Sequence, residues 1–170
     1  MRSDWHGLIK VLEIQHVRNG KVIWEDRNLY NMLHTNGEEF LLTALFNNDG
    51  TALPEYYYLG LDNRTVLLAD QTMEDVEDEP SINGYSRQTL SSASGWDIEL
   101  HNGVHRAVGN IITFTAVAGT WGPVQNLFLT DQPNNTGYLI ASVPLSVPAT
   151  LTDGDAINMR MALSLRDYPA

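Results

Sequence analysis

The sequence predicts a mainly β domain, a sandwich or barrel of about nine short strands with one helix. Three observations carry that expectation. Between residues 110 and 165, four runs rich in β-formers are separated by clusters of Gly, Pro, Asn and Asp, the pattern of sandwich strands and their turns. The last of these runs alternates. Ile157, Met159, Met161, Leu163 and Leu165 fall on one face, and Asn158, Arg160, Ala162, Ser164 and Arg166 on the other, as in a strand lying on a core. Finally, Asn19-Gly20 and Asn102-Gly103 each sit between patterned runs, and Asn-Gly accepts the positive φ that tight hairpins demand.

In chain order, residues 8–17 form an extended run that turns at Asn19-Gly20 into residues 22–26. Its alternation slips, because Ile9 and Val11 share one parity while Leu12, Ile14 and His16 take the other, so a bulge is expected near Val11 and Leu12. Residues 28–34 are transitional. Thr35-Asn-Gly-Glu38 has the capping-box pattern, with Thr35 as N-cap and Glu38 reaching back. Phe40, Leu41, Ala44 and Leu45 follow at helical spacing, widened by Leu42 and Phe46, and predict a helix over about 35–46 that plugs one end or face of the sandwich. Residues 55–62 read as a strand and 63–70 as a loop with one helical turn. Residues 73–80 are an acidic run of the kind that stays solvated and mobile. Residues 84–90 form a polar strand with 91–95 as its exit loop, and 96–101 with 104–107 make the second hairpin. There is no linker, low-complexity tract or fixed-period repeat. Residues 1–170 therefore read as one domain, with 1–7 as an N-terminal arm and 8–170 as the sandwich.

A chain of 170 residues is long enough to bury a core without staples. It carries 21 acids against 10 bases, a net charge of −11, and its Lys and Arg residues are scattered singly. That surface repels phosphate backbones, which argues against nucleic-acid binding. With no cysteine, disulfides, thiol catalysis and thiolate metal sites are excluded. The apolar run near the start is broken by charge too early for a signal-peptide core, and no run reaches membrane-spanning length, so a soluble protein made in the cytoplasm, with no membrane partner, is expected.

The residue types that carry chemistry point to none in particular. His101 and His105 are four apart, a ligand spacing on a helix. Across the Asn-Gly turn, however, residue 101 pairs with 104 and 100 with 105, which sends the two imidazoles to opposite faces. His6, His16 and His34 have no second ligand at useful spacing. The acids cluster at residues 74–79 instead of standing singly beside aromatics, and no Gly-x-Ser-x-Gly elbow or phosphate-cradling loop is present. No catalytic residue, cofactor or metal is therefore expected. Trp24 lies in a patterned strand and reads as core. Trp5, Trp96 and Trp121 lie at arm or loop positions and, with His6 in the same arm, are candidates for an interface with protein or glycan.

The order of the pieces resembles a group of short tailed-bacteriophage structural proteins. The residues that carry it are Gly20-Lys-Val-Ile-Trp-Glu-Asp-Arg-Asn-Leu29, then Asn31 to Phe46 with Gly37 and Leu41-Leu42, and Tyr57-Tyr-Leu-Gly-Leu-Asp62. They continue with Asp70-Gln-Thr-Met73, Glu79, Gly84-Tyr-Ser-Arg87, Ile112-Thr-Phe-Thr-Ala116, Asn126-Leu-Phe-Leu-Thr130, Gly154-Asp155 and Ala162-Leu-Ser-Leu165. The resemblance implies a jelly-roll-like antiparallel sandwich and a virion component with no catalytic residues. Its first implication is a capsid decoration or cement protein, a homo-oligomer bound to the major capsid protein or other virion proteins. Its alternatives are a tail, neck or fibre component, or a glycan- or receptor-binding module using Trp96, Trp121 and the tyrosines at 56–58. On the first reading, Trp5 and the strand after it contact the capsid or a sister subunit.

Overall fold

The computed structural model describes residues 5–30, 32–46, 53–80 and 84–167. Two antiparallel sheets pack face to face as a β-sandwich. The strands are β1 (Trp5–Arg18), β2 (Lys21–Tyr30), β3 (Met32–Leu33), β4 (Tyr56–Asp62), β5 (Gln88–Ser91), β6 (Trp96–His101), β7 (Val104–Gly109), β8 (Ile112–Thr115), β9 (Trp121–Thr130), β10 (Leu139–Leu151) and β11 (Ala156–Asp167), with one helix, α1 (Thr35–Phe46). The first sheet has six strands in the order β2-β1-β11-β7-β6, with β8 also paired to β11, and the second has five, β3-β10-β9-β4-β5.

The alternating strand at the C-terminal end is the centre of the first sheet. β11 pairs β1 along its whole length on one side. On the other side it pairs β8 through residues 156–159 and β7 through 162–164. Ile157, Met159 and Met161 are buried as the period of two predicts. Both Asn-Gly turns form, with Asn19, Gly20, Asn102 and Gly103 all at positive φ. The register of β1 against β11 slips between Val11 and Glu13, which places the expected bulge at Leu12.

The core between the sheets joins Val11, Ile14, Leu59, Leu61, Phe114, Leu127, Leu129, Leu151 and their neighbours. Tyr85 lies parallel to Phe114 with ring centres 6.3 Å apart, and Trp121 meets Tyr85 edge-on at 5.4 Å. A second, smaller core lies on the outer face of the five-stranded sheet, where Leu67, Met73 and Val76 bury themselves against Phe128 and Leu139.

Four expectations are corrected here. The arm set at residues 1–7 is shorter, since Trp5 to Gly7 already pair with Asp167 to Leu165 as the start of β1. Backbone pairing with β11 outweighs the weak strand signal of a Gly-containing segment. Residues 1–4 lie outside the described residues. The acidic run is neither loose nor wholly solvated, because Met73 and Val76 are apolar anchors within it and a 3₁₀ turn spans Met73–Asp75. α1 already begins at Thr35, so the cap position falls on His34 and not on Thr35, with the Glu38 N–H donating to the His34 carbonyl at 2.9 Å. Finally, the helix buries far less of its apolar stripe than its sequence suggests. Gly37 and Phe40 are buried, while Leu42, Leu45 and Phe46 stand exposed.

Candidate interface at the open end of the sandwich

α1 lies against β10. A Cβ at Gly37 would stand 2.1 Å from the Ile140 carbonyl oxygen, so only glycine permits this approach of helix to strand. That contact drives Phe40 into the aromatic cluster below, where its ring meets Tyr57 edge-on at 6.2 Å and lies 5.5 Å from Tyr138. Tyr57 in turn meets Trp96 edge-on at 6.2 Å, and burial pushes its phenol pKa up. Above these rings a cleft of ≈ 240 Å³ opens between the helix and β6, walled by Leu41 and Leu53 on one side and Trp96 and Ile98 on the other. Its lining is mostly apolar. The Trp96 indole N–H is buried beside it with no hydrogen-bond partner among the described residues. Such a surface, with the Ser92 hydroxyl at its margin, recognises mainly shape and apolar area.

The buried polar clusters lie elsewhere, and each ties chain segments together. Asp155, in the turn before β11, accepts from Arg18 Nη2 at 2.5 Å and Arg18 Nε at 3.0 Å, with His16 Nε2 3.4 Å away. It also accepts from the Thr152 N–H at 2.8 Å, so its carboxyl is held well below the usual range, chiefly by the Arg18 hydrogen bonds. His34 is fully buried with Nε2 2.8 Å from Ser142 Oγ, and burial lowers its pKa. Asp62 is also fully buried, and burial raises its pKa against the opposing pull of Arg64. Arg87 grips the acidic run. Its Nε and Nη2 donate to Glu79 at 3.0 and 2.5 Å, and its Nη1 donates to the Asn134 carbonyl at 2.7 Å. The guanidinium also lies 5.1 Å over the Phe128 ring, and Tyr85 adds an O–H donated to Glu79 at 2.8 Å.

Of the residues singled out in sequence, Trp96 reaches the cleft. Trp121 does not: it opens β9 and is 3% exposed, because its Gly-Pro neighbours belong to the strand and not to a loop. A glycan platform built from Trp96 and Trp121 therefore does not form, and Tyr57 is occupied beneath Trp96. Trp5 and His6 are placed as β1 backbone, paired with Asp167 and Arg166, and their side chains lie outside the described ones. His101 and His105 stand as the turn register requires, opposite Val104 and Leu100. The sequence reading missed Leu53, Ile98 and Leu100. The Trp96-Asp-Ile-Glu-Leu100 alternation was the available signal for the last two. No helix among the described residues is long and apolar enough to cross a membrane.

Residues 32–164 match the protein family described as Podophage GP4 fiber I protein gp80, a span running from β3 nearly to the end of β11. The chain belongs to that family. No curated protein matches it.

Proposed function

We propose that this member of the podophage fiber I protein gp80 family is a tail-associated fibre component of a virion and works through protein contacts. The match over residues 32–164 carries this reading, since the family's description speaks of a fiber. It favours the tail-side alternative over the head-decoration role that came first from sequence. The geometry fits a part whose task is contact. The cleft between α1 and β6 is mostly apolar, and the Asp155 and Glu79 carboxylates are engaged by the chain's own Arg18 and Arg87. Partners on this reading are other virion proteins, and an acidic chain of net charge −11 has no evident affinity for packaged DNA.

Quantitative mass spectrometry of purified virions, split into head and tail fractions, tests the proposal. The protein should travel with tails, at a few copies per particle relative to the major capsid protein. A copy number of the same order as the capsid protein, recovered with heads, would overturn it.

A further inference from the structure

The two sheets do not cover one another completely. Leu163 continues the β11 face that carries Ile157, Met159 and Met161 into the core, and it pairs with Ala107, which pairs with Ile98. Residues paired across a sheet share a face, as do residues two apart along a strand. Ile98 and Leu100 therefore point the way core residues point. Yet they are 73% and 64% exposed, because the second sheet ends before it reaches them. Across the cleft stand Leu53 at 60% and Leu45 at 62%. Leu45 lies one turn beyond Leu41, on the helix flank that walls the cleft, and Leu42 and Phe46, at 59% and 80%, carry the apolar surface round the outer side of α1. A helix apolar on nearly every side is normally buried.

We propose that a second copy of this chain covers this face, so that the α1 and β6 ridges and the cleft between them form a contact between identical subunits. Area supports it. At roughly 200 Å² for each fully exposed large apolar residue, these six exposures amount to about 800 Å², the amount a standard interface buries on each partner. Patches of more than a few hundred Å² are rare on monomers. Charge supports it too. Two copies at −11 repel wherever their carboxylates meet. The β6 side of this face carries none, and the exposed Glu38 and Glu39 sit near the start of α1, at the other end of the helix from Leu45 and Phe46. Asp97 and Glu99 alternate to the opposite face of β6, where Glu99 accepts from Arg106 Nε at 2.6 Å. A basic partner would be drawn instead to the exposed Glu74, Glu77 and Asp78. A two-fold contact also needs only one patch, presented by both partners.

The proposal is independent of the fibre reading, because solution mass and position in the virion are separate readouts. Light scattering on the full chain across micromolar concentrations should give a multiple of the 19.0 kDa monomer. Leu45→Glu and Ile98→Glu, both at positions exposed in the single chain, should reduce the mass to that of the monomer with an unchanged circular dichroism spectrum. Ile23→Glu, at a position 51% exposed on β2 at the far edge of the same sheet, should leave the mass unchanged. A monomeric wild-type chain would overturn the proposal, as would dissociation by Ile23→Glu alone. If the wild type is monomeric while Leu45→Glu removes the protein from virions, another virion protein covers the face, and the second copy is refuted.

Discussion

Replacing Arg87 with alanine tests whether the acidic run is part of the folded body. The Arg87 side chain is 6% exposed and that of Glu79 18%, and the guanidinium spends donors on Glu79, Gln132 and Asn134 while lying over Phe128. Removing one partner of a buried ion pair strands the other charge and costs about 3–5 kcal/mol. Because Glu79 keeps some contact with water, the lower end applies, about 3 kcal/mol, or a Tm lower by roughly 6–12 °C for a domain of this size. Urea unfolding followed by tryptophan fluorescence measures it. Arg27→Ala provides the comparison, since Arg27 meets Glu13 and Glu25 with 61% of its side chain exposed, where water screens the pair and its loss should barely register. The double variant Arg87→Met/Glu79→Leu removes both charges and should recover much of the loss. A loss below about 1 kcal/mol for Arg87→Ala would refute the anchored loop and restore the solvated one.

Other outcomes follow from the same packing. Gly37→Ala should destabilise by at least about 1–3 kcal/mol, since the new methyl meets the backbone of β10, which cannot step aside; thermal unfolding reads this, and a neutral result would mean the helix does not sit on Ile140. Lowering the pH from 7 towards 5 should cost stability through His34. Burial holds its folded pKa down, so below about 6.5 the unfolded chain takes up a proton the folded chain refuses, at up to about 1.4 kcal/mol per pH unit. In His34→Gln that slope should flatten, as measured by urea midpoints at each pH. Asp155 adds its own loss only below about pH 4, since its depressed pKa keeps its contribution intact above the unfolded carboxylate value.

Strand positions were legible because their signals are local. A period of two needs only the neighbours of each residue, and Asn-Gly turns need only φ, so β11, both hairpins and the Leu12 bulge followed from short windows of sequence. The candidate interface was half legible. Trp96 was singled out as an aromatic at an arm or loop position and does wall the cleft, whereas Trp121, chosen on the same grounds, is core. Nothing within a few residues of either tryptophan separates them, since the difference lies in what the opposite sheet places above each ring.

The same division holds for the whole molecule. By itself the sequence determined the class of fold, the existence and approximate length of α1, the two Asn-Gly hairpins and the acidic balance of the surface, because each depends on propensity, periodicity or composition. Only the tertiary structure decided which apolar residues stay uncovered. Leu45, Phe46, Ile98 and Leu100 carry the same patterns as buried residues, and they are exposed because the second sheet reaches Trp96 but not Ile98 and Leu100, and the helix turns only one flank to the core. It also decided that residues 63–80 fold back over Phe128, since that requires Arg87, Tyr85 and the β9 surface to meet from distant parts of the chain.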